Sequence, residues 1–281
     1  MSTSRKTIRA AGTSLRFVVL TVGAIVMILP FAYMVSTAFK PQAYVLETPP
    51  KFIPDPGTVD NFVQAWTTQD FSRYALNSAF VSVTSTALAV WLSSMMAYAF
   101  ARFDFPGKEW FFRALLLGLM IPSMMLIIPQ FVLTKQLHLI DNLWALVLFY
   151  VSGNLALNTF LLRSFFEGIP RELDEAMEVD GANVWTRYWR LAMPLARPAL
   201  ATTVIFTFLA TWDEFAWALT VISTETKRTL PIAIQLFHGQ NSTQWGLVFA
   251  ASLIAILPVI VVYLIFQRHF VAGLTAGAVK G

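Results

Sequence analysis

The run Glu175-Ala176-Met177-Glu178-Val179-Asp180-Gly181-Ala182, closing on Met193-Pro194-Leu195-Ala196-Arg197-Pro198, decides how this chain is to be read. It is charged and irregular, yet long apolar segments flank it on both sides. The whole chain is 57% hydrophobic and 13% charged, where soluble proteins carry roughly a quarter charged residues. A mean hydropathy of +0.62 points the same way. The net charge of +4 does not gather into a patch that would grip nucleic acid; the basic residues sit between apolar runs, as membrane topology requires. There is no cysteine, which excludes disulfides, thiol catalysis and Cys-ligated metals.

Working outward from that polar run, six apolar stretches are long enough to cross a bilayer as helices: 15–39, 75–101, 111–133, 143–166, 198–222 and 246–267. The first follows Arg5, Lys6 and Arg9, but its core is too long for a cleaved signal and no small-residue cleavage site follows it. With the N-terminus inside, only Lys40, Lys51, Arg73, Lys135, Lys227 and Arg228 of the 20 basic residues fall outside. The positive-inside rule then places both termini and the 167–197 loop in the cytoplasm of a polytopic all-α membrane protein with six transmembrane helices. Pro30, Pro122, Pro129 and Pro258 lie within the spans and are expected to kink them. The amides of Asn77, Asn154 and Asn158 either glue helices together or line a wet cavity.

Within the polar loop, Pro170 suits a first helical turn, and Glu172, Asp174 and Glu175 put negative charge at the positive end of the helix dipole. Leu173, Ala176, Met177 and Asp180 share the i, i+3, i+4, i+7 face. Gly181 stands where a left-handed residue would end the helix. A second helical piece, 184–191, carries Trp185, Tyr188 and Trp189, and Pro194 and Pro198 turn the chain into the fifth span. The pattern predicts a helix–turn–helix on the membrane face. It offers its apolar ridge either to a protein partner or to lipid headgroups.

The segment 173–198 resembles the "EAA" loop of ATP-binding-cassette (ABC) importer permeases, with Glu175, Ala176, Asp180, Gly181, Ala182, Tyr188, Pro194 and Pro198 in the consensus positions and Met177 where a second Ala is usual. Ala97-Tyr98-Ala99-Phe100-Ala101-Arg102-Phe103-Asp104-Phe105-Pro106-Gly107-Lys108 and the tail from Gln267 to Gly281 are similar to the carbohydrate, maltose-type branch of that family. The resemblance covers essentially the whole chain and implies the type I ABC importer permease architecture in a single domain, 1–281.

The same resemblance implies a subunit with no hydrolytic site, hence no enzyme, that forms half of a translocation pathway for a sugar, oligosaccharide or polyol. Glu175, Ala176, Met177, Asp180, Gly181 and Ala182 would couple to an ATPase, and tail residues Arg268, Leu274, Thr275 and Lys280 would reach the ATPase dimer. The expected partners are a second, homologous permease, two ATPase subunits carrying ATP and Mg, an extracytoplasmic sugar-binding protein that docks on the loops near 40–74 and 223–245, and membrane lipid. No cofactor is expected on this chain, and the inner membrane is the implied location. The sequence itself agrees on one point: it contains no phosphate-cradling glycine loop followed by Lys and Ser or Thr. His138, His238 and His269 are too scattered for a metal site.

Asn154, Asn158, Trp212 and Asp213 are expected either to face the pathway or to be satisfied between helices. The rival reading is a secondary transporter driven by an ion gradient, with Asp213 and Glu214 as its relay. Six spans without a visible internal repeat speak against it.

Overall fold

A computed structural model describes residues 2–239 and 243–278, with side chains from Arg16 to Arg268 apart from Gln69 and 240–242. Most of the described residues are helical, and none of them forms a β-strand. In chain order the helices are α1 (Ser2–Ala38), α2 (Asp60–Thr67), α3 (Phe71–Arg102), α4 (Lys108–Leu117), α5 (Ile127–Gln136), α6 (Leu143–Glu167), α7 (Arg171–Val179), α8 (Val184–Arg187), α9 (Met193–Leu195), α10 (Arg197–Trp212), α11 (Ala216–Val221), α12 (Leu230–Gln235) and α13 (Trp245–Ala278).

Four helices cross-match the apolar stretches without interruption: Arg16–Ala38, Phe71–Arg102, Leu143–Glu167 and Trp245–Arg268. The other two expected spans are broken. The stretch 111–133 is a helical pair, Lys108–Met120 and Ser123–Gln136, that bends by 95°. The break falls at Ile121-Pro122, where the residue before a proline is driven to an extended conformation and the proline has no N–H to continue the ladder. Pro129 lies inside α5 without interrupting it, and Pro30 and Pro258 lie inside α1 and α13.

The stretch 198–222 is also not one rod. Helix α10 ends at Trp212 and α11 begins at Ala216. Glu214 causes the restart: its carboxylate accepts from the backbone N–H of Trp217 (2.7 Å) and Ala218 (3.1 Å) and from the Tyr150 hydroxyl (2.5 Å). The first N–H groups of a helix have no partner within it, and a carboxylate there satisfies them.

The chain divides into two compact units. In the smaller, Met1–Gln69 with Ile234–Ile254, the Asn61 amide donates to the carbonyls of Ala38 (2.9 Å) and Lys40 (2.7 Å). A Cβ at residue 246 would come within 2.8 Å of that amide, so Gly246 permits the approach. Lys40 is itself buried, donating to the carbonyl of Lys51 beneath the ring of Tyr33.

In the larger unit, Asp70–Ala233 with Ala255–Gly281, α3 packs against α6 and α10. Helix α3 buries a run of small residues at helical spacing: Ser78, Ser82, Ser85, Ala89, Ser93, Ala97 and Ala101. In lipid there is no hydrophobic drive between apolar helices, so close backbone approach over small side chains holds them together. Two apolar clusters form at the two ends of this packing. One centres on Val81, Leu146, Tyr150, Trp217 and Val221, the other on Tyr98, Leu162, Phe166, Ile169 and Tyr188.

Candidate functional site

The second cluster carries the polar hairpin. Helix α7 begins after Pro170 and ends through two backbone bonds: Gly181 N–H to Glu178 C=O (3.0 Å) and Ala182 N–H to Met177 C=O (2.9 Å). That paired closure requires a left-handed residue, and Gly181 has φ +80°. Asn183 then caps the next helix, its Oδ1 accepting from the Thr186 N–H at 2.9 Å. From Val184 the backbone runs through a π-helical turn, Tyr188–Ala192, into Leu195. It then bends by 77° at Ala196 into α10, which carries Pro198 in its first turn.

Four contacts hold this hairpin on the ends of α3 and α6. The Tyr188 hydroxyl shares a 2.6 Å hydrogen bond with Ser94, and its ring packs edge-on against Tyr98, which also meets Phe166 and Phe103. The Arg102 guanidinium donates to the Ile169 carbonyl (2.9 Å) and stands 3.0 Å from the Asp174 carboxylate, both side chains largely buried. Arg187 closes the hairpin on Glu178 at 2.5 Å. A fifth group stabilises the helix ends beneath: Arg163 pairs with Glu167 (2.7 Å) and Glu109 (2.9 Å) over the ring of Phe112.

The outward surface of α7 is left open. Glu175, Ala176, Asp180 and Gly181 are exposed, Met177 and Ala182 are half-buried, and Leu173 and Val179 stand 42% and 89% exposed. The six residues singled out from the sequence therefore share one short hairpin. Arg102 and Asp174 were each visible in the sequence, but their pairing was not, because nothing in their spacing joins residues so far apart in the chain. The signal was a basic residue ending a span with an acid in the loop.

The other four residues do not assemble into one site. The Asn158 amide is buried and donates to the Thr207 hydroxyl (2.8 Å), joining α6 to α10. Trp212 is buried, stacked on Phe208, and its indole N–H donates to the Ala255 carbonyl (3.0 Å). Both are satisfied inside the chain. Asn154 donates one turn back to the Tyr150 carbonyl (2.8 Å) and stays half-buried, and Asp213 is exposed. Asn77 is likewise satisfied, donating to the carbonyls of Thr226 (3.0 Å) and Arg228 (2.9 Å). Arg268 is exposed, Leu274 and Thr275 lie on α13 beyond the described side chains, and Lys280 is outside the described residues. Among the described residues no group of His, Asp and Glu could hold a metal ion.

At the far ends of α3 and α6, Asp141 forms a second polar knot. Its carboxylate accepts from the N–H of Ser223 (3.0 Å) and Thr224 (2.9 Å), from the Thr224 hydroxyl (2.6 Å) and from Lys227 (3.0 Å). Partial desolvation pushes this carboxyl up, but the Thr224, Lys227 and Ser223 donors outweigh it and hold it well below the usual carboxylate range.

The chain is 35% identical to the sulfoquinovosyl glycerol transport system permease protein of Agrobacterium fabrum, over 96% of this chain and 95% of that one. It is 37% identical to the trehalose transport system permease protein of Mycobacterium tuberculosis, over 90% and 93%, and 34% identical to the trehalose/maltose transport system permease protein of Thermococcus litoralis, over 95% and 98%. Its fold matches a chain from the crystal structure of a bacterial ABC transporter involved in the import of the acidic polysaccharide alginate, with a TM-score of 0.81 at 24% identity, covering 94% of this chain and 98% of that chain. The model of the family described as binding-protein-dependent transport system inner membrane component matches residues 89–275. That match takes in the α3 end, the hairpin and α13 together, and the chain belongs to this family of inner-membrane permease components.

Proposed function

We propose that this chain forms half of the translocation pathway of an ATP-driven importer for a carbohydrate, and that the 167–197 hairpin couples it to an ATPase. One observation carries the coupling assignment. Helix α7 is tied down on its inner side by Arg102 and Asp174 while its outer side, with Leu173, Glu175, Ala176 and Val179, is uncovered. A partner that moves α7 therefore also pulls on the end of α3 through a short, largely buried ion pair.

On this reading both termini and the hairpin are cytoplasmic, and the tail from Arg268 reaches toward the ATPase pair. The other partners are a second permease and an extracytoplasmic sugar-binding protein, with ATP and Mg held by the ATPases. The relatives' named cargoes, trehalose, maltose and sulfoquinovosyl glycerol, support a carbohydrate or glycoside as substrate. Asn154 and Asp213 are the two sequence-selected residues left available to face it. The importer does not need this chain to perform chemistry: its part is to bind, to move and to seal.

The test is extraction of the tagged chain in mild detergent, followed by assay of the purified material for ATP hydrolysis and, in vesicles, for uptake of labelled trehalose and maltose. Co-purification of an ATP-hydrolysing subunit and a second multispan protein is expected. Gly181→Asp and Glu175→Lys should insert normally yet lose ATPase association or uptake. Full association and uptake in both variants would remove the case for a coupling surface here.

A further inference from the structure

The hairpin is electrically divided. Helix α7 holds Glu172, Asp174, Glu175 and Glu178 against the single Arg171, and Asp180 follows it. From Gly181 to Trp212 there is no acidic residue, while Arg187, Arg190 and Arg197 all lie there. Arg187 is occupied by Glu178, which leaves Arg190 and Arg197, both exposed, as the outward charge of the second arm.

The second arm is also aromatic on its open side. Its inner stripe, Tyr188, Ala192 and Ala196, is buried in the cluster with Tyr98 and Phe166. Trp185 and Trp189 are 57% and 50% exposed, with Val184 and Leu195 also open. This arm is bent by 77° from α10, the first helix of the expected fifth span. A helix set nearly square to a span lies along the bilayer surface rather than through it. Tryptophan and arginine on such a helix match the headgroup layer, where indole rings sit at the apolar boundary and cations meet anionic phosphates.

We propose that residues 184–197 rest on the anionic lipid surface of the bilayer, with Trp185 and Trp189 set among the headgroups and Arg190 and Arg197 on lipid phosphates. Helix α7, carrying like charge to the lipid, is held off that surface and presented to the ATPase. The two arms thus have different partners, and charge segregation assigns them. This rests on the cytoplasmic placement of the hairpin proposed above.

The assembled importer, reconstituted in nanodiscs of phosphatidylcholine with or without phosphatidylglycerol, provides the measurement. Amide hydrogen exchange over 184–197 should slow on the order of tenfold in the anionic discs, with the gain lost at high salt. The double variant Arg190→Gln, Arg197→Gln should abolish that lipid dependence, whereas exchange over 171–179 should not respond to lipid composition in either protein. Exchange over 184–197 that ignores lipid composition overturns the proposal, as does lipid-dependent slowing that survives in the double variant. Because the chain has no cysteine, a single Asp104→Cys reporter, exposed in the loop that follows α3 at the hairpin end, separates the two failures. In sealed inverted and right-side-out membrane vesicles, labelling by an impermeant reagent from the cytoplasmic face, together with lipid-indifferent exchange, rejects the lipid contact alone. Labelling only from the outer face rejects the orientation and with it both readings.

Discussion

The two ends of the α3–α6 pair are both closed by an aspartate, and they are closed differently. At the far knot Asp141 takes four donors from Ser223, Thr224 and Lys227, and its own N–H donates to the Val221 carbonyl (2.9 Å). Nothing in that arrangement is left to offer. At the hairpin Asp174 meets Arg102 and the Tyr98 hydroxyl, and the helix that carries it keeps its other side bare. The Asp141 loop is thus locked to its neighbour on every side, whereas α7 is held on its inner side, by Arg102 and the tyrosine cluster, and is bare on the other.

The largest test of that contrast is at the hinge. Removing one member of a largely buried ion pair leaves an uncompensated charge, a loss of about 3 kcal/mol. Arg102→Gln should therefore speed amide exchange over 171–179 by on the order of a hundredfold, with little change around residue 141. Unchanged exchange over 171–179 would mean that the aromatic cluster, not the ion pair, holds the arm.

A smaller effect is expected at the Asp141 knot, where Asp141→Asn weakens hydrogen bonds to a charged acceptor by about 2 kcal/mol. The pH dependence has a definite sign. The folded-state value lies below the ordinary 3.8, so the stabilisation is fully present above that value and is lost as pH falls through the folded one. The gap in unfolding temperature between the native chain and Asp141→Asn should be level from pH 8 down to about 5 and narrow only in stronger acid. A gap that widens on acidification would reverse the assignment.

The least costly change is at the turn. Gly181 has open space around the position of a Cβ, so Gly181→Ala meets no clash and should lose only the left-handed backbone penalty, about 1 kcal/mol. Gly181→Asn should lose less, since asparagine tolerates that conformation. Exchange at the amides of Gly181 and Ala182 ranks the three.

Much of this was legible in the residues. Apolar length located the four uninterrupted long helices, and Pro170 and Gly181 marked the hairpin because first-turn prolines and left-handed turns are local chemistry. The 95° break was not legible in the same way. Pro122 announced a kink, but the hydropathy of 111–133 records how apolar a segment is and carries no direction. Glu214 shows the converse: an acid in an apolar run invited a functional reading, and its carboxylate instead starts α11. Trp212 and Asn158 belong with it, since whether a polar group faces a pathway or a neighbouring helix depends on packing that only coordinates supply. The Arg102–Asp174 pair lies deepest, because two residues 72 positions apart share no period.

The π-helical turn at Tyr188–Ala192 has a consequence for comparing sequences. Such a turn closes i to i+5 and so accommodates one residue more than an α turn of the same rise. Related chains that thread this corner as plain α-helix should align with a one-residue gap inside 188–192. The asparagine cap before it and the proline after it would then stay in register on either side.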